Sequence, residues 1–252
     1  MSYRRKKLLA LFFAMALSMT AVAGCTGAKS STGNVVSLET ETNAEETSAQ
    51  SEAGTFSSAD MFTERDLAGT YEESRAVYVT LSDDGIAGET DGVVIDGQMV
   101  TITAEGTYIF SRTLSEGQIV VDADNAKVQI VFDNVDITCA SSAAVYVKSA
   151  EKVFVTLAEG SQNTLRNTDE YVAIDDNNID AVIFAKSDLT LNGTGSLTII
   201  SAEGHGIVSK DDLKIIGGTY DITAAGHALS GKDSVRIADG TFILTAEKDG
   251  IH

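Results

Sequence analysis

The chain has 252 residues, 43% of them hydrophobic, with 37 acidic against 18 basic side chains and a formal charge of −19 at pH 7. This length and apolar content support a sizeable core, while the charge excludes nucleic acid and anionic lipid as natural partners. Proline and tryptophan are absent, although average usage would place about a dozen prolines here, and a residue that cannot donate to a ladder is unwelcome in continuous strand pairing.

Residues 1–24 are set apart from the fold. Arg4-Arg5-Lys6-Lys7 is a basic start, and Leu8 to Met19 is an apolar run too short to span a bilayer comfortably. Val22-Ala23-Gly24-Cys25 then resembles a bacterial lipobox, which makes Cys25 the lipidated N-terminus of the mature chain. An ordinary secretory peptide cleaved near Ala23 is the alternative. Residues 25–60 come next as a Ser/Thr/Glu/Ala/Gly tract that cannot bury enough surface to fold. As a flexible tether it spans roughly 30–35 Å, so the expected location is the extracellular face of a bacterial membrane, lipid-anchored. Loss of the leader removes Arg4, Arg5, Lys6 and Lys7 and makes the chain still more acidic. Cys139 is the one other cysteine, so no intramolecular disulfide is possible, and a small core residue is its expected role.

From residue 61 the pattern is that of strands. Thr101-Ile102-Thr103 and Gly106 to Phe110 begin it, with residues 61–110 expected to cap the strands beyond them. Val128 to Phe132 and Val153 to Leu157 continue it, with Gly, Asp, Ser and Lys as punctuation and no room for helices. The end of the chain repeats itself. Residues 205–226 and 227–248 share 8 identical positions of 22, with His205 over His227, Lys210-Asp211 over Lys232-Asp233, and Gly218-Thr219-Tyr220 over Gly240-Thr241-Phe242. A third copy opens at Asp249-Gly250-Ile251, and Ala185-Lys186-Ser187-Asp188-Leu189 matches Ser209 to Leu213 at an offset of 24. Such a period is the mark of a solenoid whose repeats bury a shared core. The expected fold is all-β, a parallel β-helix with coils of about 22 residues over 111–252. Because the sequence stops at the start of a coil, it is expected to be C-terminally incomplete.

Stacked coils would place equivalent carboxylates such as Asp211 and Asp233 about 4.8 Å apart, where like charges repel unless solvent or a cation intervenes. Outside a cell the natural neutraliser is calcium, a hard cation with oxygen ligands. Asp175, Asp176, Asp180, Asp211, Asp233 and Asp249 are the candidate ligands; solvated turn residues are the competing reading. Lys210, Lys214, Lys232 and Arg236 occupy outward strand or turn positions and are candidate carbohydrate contacts, with surface solvation or pairing to Asp211 and Asp233 as the alternative. Tyr220 and Phe242 alternate into the core and form an internal stack rather than a sugar platform.

Several segments carry a family likeness: Phe62 to Leu67 with Gly69 to Ser74, Ala143 to Lys148, Leu157 to Leu165, and Ser209 to Ile215. With these the chain, over about residues 61–252, resembles bacterial secreted carbohydrate-binding proteins built as right-handed parallel β-helices, which bind calcium and cellulose-like or pectin-like polysaccharide. The resemblance implies a right-handed coil, bound Ca2+ and a polysaccharide partner. One departure concerns Asp-Gly-Ile, usual at the start of each coil: here it is His205-Gly206-Ile207 and His227-Ala228-Leu229, with Asp249-Gly250-Ile251 alone keeping the form. The two histidines would weaken a calcium site there; a stacked pair is open to a transition metal or to a turn role alone.

The same scaffold hosts pectin lyases and polygalacturonases. Asn167-Thr168-Asp169, Asp175-Asp176, Gly204-His205-Gly206 and Arg236-Ile237 echo hydrolase motifs in order. However, Asp169 and Asp175 lie in one acidic loop rather than one coil apart, whereas inverting hydrolysis wants carboxylates roughly 6.5–9.5 Å apart across a cleft. The expectation is a monomeric, lipid-anchored, calcium-dependent polysaccharide-binding domain, with a polyuronate lyase or hydrolase, or a surface adhesin, as the alternatives.

Overall fold

The computed structural model describes residues 61–88 and 91–252. The leader, Cys25 and the tether lie outside the described residues. A short helix α1 (Glu64–Ala68) is opened by a Thr63 cap, whose hydroxyl accepts the Asp66 amide while the Asp66 carboxylate accepts the Thr63 amide. Gly69 ends it in the left-handed region at φ 57°. Everything after the next 3₁₀ turn (Glu73–Arg75) is strand and turn.

The strands fall into two sheets. The first holds β1 (Val77–Leu81), β2 (Ala87–Gly88), β5 (Gly106–Leu114), β7 (Lys127–Thr138), β9 (Lys152–Leu157), β10 (Gln162–Asn167), β12 (Asp188–Gly193), β13 (Ser196–Ser201), β15 (Asp212–Ile215), β16 (Thr219–Ala224), β18 (Ser234–Ile237) and β19 (Thr241–Ala246). The second holds β3 (Val93–Asp96), β4 (Met99–Ile102), β6 (Gln118–Asp122), β8 (Val145–Ser149), β11 (Ala181–Ala185), β14 (His205–Ser209) and β17 (Leu229–Gly231).

The all-β class stands, but the expected right-handed parallel β-helix of equal coils is corrected by this topology. The first sheet has twelve strands and curls into a half-barrel, with the seven-stranded second sheet set against it in a sandwich-like arrangement rather than a clear solenoid. The reason lies in β5 and β7. Lys127–Phe132 of β7 pairs with β9, whereas Asp136–Thr138 pairs with β10, so one twelve-residue strand serves both arms of the sheet. Asn134 takes φ 59° between those halves, and Arg112 takes φ 75° where the β5–β7 register shifts. A left-handed residue inside a strand bends it, and Asn tolerates that conformation better than most.

The spacing is also unequal. Leu213 pairs with Val235 and Ile207 with Leu229, both 22 positions on, but Val153 pairs with Leu189 and Val145 with Ile183 across much longer insertions. β1–β2 and β3–β4 are antiparallel. The 22-residue repeat describes the last strands, not the whole.

The core fills the half-barrel. Columns run from rung to rung, as in Val128–Val153–Leu189–Leu213 on one arm, with Ile137–Leu165 and Leu197–Tyr220 on the other, all fully buried. Each such side chain contributes about 1.5–3 kcal/mol relative to exposure. Tyr220 stacks on Phe242 with ring centres 5.2 Å apart, inside the protein as expected. Cys139 is buried, and burial, with the Glu116 carboxylate, pushes its thiol up to about 11, which leaves it inert. Gly193 is required by its turn: at φ 92°, an added Cβ would meet the Leu157 carbonyl at 2.2 Å.

Candidate functional site

Pairing in the second sheet brings Val147, Ala185, Ser209 and Gly231 into one row. The next residue of each strand is lysine. Lys186, Lys210 and Lys232 continue the ladder by donating to the carbonyls of Val147, Ala185 and Ser209, at 3.0, 2.8 and 3.0 Å. Lys148, Lys186, Lys210 and Lys232 therefore form an exposed column, one ammonium per rung, with rungs about 4.8 Å apart. Lys148 is paired with Asp122 at 2.6 Å. Among the described residues no carboxylate lies within 4 Å of the other three ammoniums; that of Lys210 instead sits 5.0 Å from the centre of the Phe184 ring.

Beside this column the outer face of the second sheet is apolar and covered. Tyr146, Phe184 and Val208 succeed one another across β8, β11 and β14, and pack with Ile179 and Tyr171 of the loop that precedes β11. The loop carries three of the expected calcium ligands. Asp175 accepts the Tyr146 hydroxyl at 2.7 Å and the Asn177 amide at 2.8 Å. Burial raises its carboxyl, but these donors, with Lys186 nearby, hold it below the usual range. Asp176 is exposed. One oxygen of Asp180 is buried with no hydrogen-bond partner, while the other accepts from Asn178 at 3.3 Å. A buried, unpartnered carboxylate oxygen fits a hard cation.

The other expected ligands lie elsewhere. Asp211 and Asp233 stack at the turn just after the lysines, close to Asp188 and Asp212. Burial first, then the negative charge of Asp188 and Asp233, pushes the Asp211 carboxyl up. Here too a cation would relieve like-charge crowding. Asp249 is at the other end of the strands from the lysines, before the Leu229–Ile251 bridge. The six aspartates thus fall into three places rather than one site.

The four expected sugar contacts divide in the same way. Lys210 and Lys232 join the column. Lys214 and Arg236 are on β15 and β18 of the first sheet, in a row with Phe154 and Thr190. Helix α1 lies over that row. Asp66 is fully buried and takes Lys152 at 2.6 Å, Thr190 at 2.7 Å and Lys214 at 3.8 Å. Burial would raise the Asp66 carboxyl, but Lys152, Thr63 and Thr190 outweigh it and hold the group at about 2. Lys214 is 7% exposed and Arg236 is paired with Asp212 at 3.1 Å. Lys214, expected as a sugar contact, thus lies beneath α1 with its ammonium 3.8 Å from Asp66 and 3.9 Å from Asp212. Sequence reasoning misses Lys148 and Lys186, although Lys186-Ser187-Asp188 aligns with Lys210-Asp211-Asp212. The hydrolase-like residues do not share one strand row: Asn167 ends β10 and Arg236 is in β18 of the first sheet, while His205 opens β14 of the second.

A model of carbohydrate-binding domain-containing proteins matches residues 96–252. The chain belongs to this family. A carbohydrate-binding domain-containing protein of Acetivibrio thermocellus is 41% identical over 139 residues, which are 54% of this chain and 49% of that protein. The chain therefore spans about half the length of this relative. The polysaccharide lyase-like protein from C. thermocellum, solved as a gadolinium derivative, superposes with a TM-score of 0.63 at 34% identity, covering 69% of this chain and 74% of that one. The matched region takes in the lysine column, the loop before β11 and the stacked aspartates.

Proposed function

We propose that this carbohydrate-binding domain holds an acidic, pectin-like polysaccharide along the lysine column of the second sheet, with calcium at the carboxylates beside it. The observation that carries the reading is the run Lys186, Lys210, Lys232, three exposed ammoniums one rung apart with no carboxylate partner among the described residues. Like charges at that spacing repel, and a linear polyanion with one carboxylate per sugar neutralises them in sequence. The rest of the chain is strongly acidic, so an anionic glycan is repelled except along this column or where cations intervene. The Asp180 oxygen without a partner and the crowded Asp211–Asp233 pair are the carboxylates that calcium would satisfy. Cys25 as a lipid anchor and residues 25–60 as a tether would hold the domain at the extracellular face of a bacterial membrane.

Titration calorimetry with polygalacturonate oligomers, with and without chelator, tests this, with insoluble cellulose pull-down as the neutral comparison. Binding of polygalacturonate that weakens with salt and chelator is expected. Equal retention on cellulose, indifferent to salt, would overturn the acidic-glycan reading. Unsaturated uronate appearing during incubation would replace binding with lyase chemistry.

A further inference from the structure

The starts of the second-sheet strands, at the other end from the lysines, carry a histidine stack. His205 and His227 lie 4.9 Å apart with planes 4° from parallel, and His227 and His252 lie 4.1 Å apart at 13°. The carboxylate of Asp249 reaches both of the last two, 3.3 Å from Nδ1 of His227 and 3.3 Å from Nδ1 of His252. We infer that His227, Asp249 and His252 form a binding site for a divalent transition metal of the zinc class, at the other end of the strands from the lysine column.

Three observations carry this. The first is distance: the three ligand atoms fall within 4.8 Å of one another, and an ion with bonds of about 2.0–2.1 Å in tetrahedral geometry separates its ligands by about 3.3 Å. The second is donor chemistry. Two imidazole nitrogens and one carboxylate suit zinc, copper or nickel, whereas calcium takes oxygen. The third is the placement of protons. Nδ1 of His227 faces the Asp249 amide at 3.1 Å and so presents a lone pair, not a proton. The Asp249 carboxylate oxygen lies 3.3 Å from the same nitrogen. An ion entering there takes the nitrogen lone pair in place of the amide, with the carboxylate oxygen beside it. His205 is outside the set: its Nδ1 accepts the His227 amide at 2.7 Å, and its Nε2 is turned to Asp180, 3.9 Å away, rather than to Asp249.

The test uses the protein without an affinity tag. Cobalt(II) titration should give the visible bands of a near-tetrahedral N/O site at one ion per chain, and zinc should displace it. His227→Gln, His252→Ala and Asp249→Asn should each weaken zinc at least tenfold by calorimetry, while His205→Ala should leave it within about threefold. His252 is 60% exposed at its side chain, so its removal does not threaten the fold. Displacement of zinc by millimolar calcium, or unchanged zinc binding in His252→Ala and Asp249→Asn, would overturn the site. Polygalacturonate binding by the same variants should be unaltered, which separates this inference from the proposed function.

Discussion

Two rows of basic side chains run across the outside of this domain, and they have opposite fates. On the first sheet, Lys214 and Arg236 continue the row of Phe154 and Thr190; Asp66 of α1 and Asp212 take the charge of Lys214, and Asp212 alone takes that of Arg236. On the second, Lys186, Lys210 and Lys232 stand open. The repeat treats the two rows alike: Lys210 is followed by Lys214, and Lys232 by Arg236, at the same interval. What separates them is two carboxylates, Asp66 brought from far upstream and Asp212 on the neighbouring rung. A charge neutralised inside the protein stabilises the fold, while one left facing water is available to a ligand.

Breaking the first row should have the largest effect. Asp66→Ala strands Lys152 and Lys214 without their buried partner, and chemical denaturation should show a loss of about 3–5 kcal/mol. The same carboxylate predicts acid lability. Its folded value of about 2 is below the unfolded value near 3.9, so its stabilisation is complete above about pH 4 and is lost as pH falls towards 2. Denaturation midpoints across that window should drop in the wild type and stay flatter in Asp66→Asn.

Breaking the second row should change binding and not folding. The triple variant Lys186→Ala, Lys210→Ala, Lys232→Ala should bind polygalacturonate at least tenfold more weakly, about 1.4 kcal/mol, with an unchanged melting temperature. Loss of stability with intact binding would reverse the assignment of the two rows. The histidine stack sharpens the contrast at milder acidity. Burial, more than neighbouring charge, holds His205 and His227 below the ordinary value near 6.5, so unfolded chains take up protons first and stability falls as pH drops below about 6.5. Replacing both by Gln should remove that step from the pH profile. The smallest effect belongs to Arg236→Ala, whose partly exposed pair with Asp212 is worth less than about 1 kcal/mol, with glycan binding untouched.

Much of the fold and part of the site are legible in the chain itself. The alternation of Leu213 and Ile215 against Asp212 and Lys214 marks strands, and the internal stack of Tyr220 on Phe242 comes from their shared repeat position. The same repeat picks out Lys210 and Lys232. Lys186 is within reach through its offset of 24, and Lys148 is hidden by the long insertion after β10. The curl of the first sheet is not legible, because it depends on Asn134 and Arg112 adopting left-handed backbone inside strands, a conformation that any turn-prone residue can take or avoid. The burial of Lys214 is equally hidden, since nothing near it in the chain announces Asp66.

By itself the sequence determined that this is an all-β protein, that its last strands pair in parallel at a step of 22, and that equivalent side chains become neighbours, because strand periodicity and repeat register are local properties of the chain. Tertiary structure alone decided that the strands join into a half-barrel faced by a second sheet. It also decided which charges are used internally. Both outcomes depend on where one bent strand and one distant helix come to rest, and such long-range placements are set by packing and charge pairing rather than by local pattern.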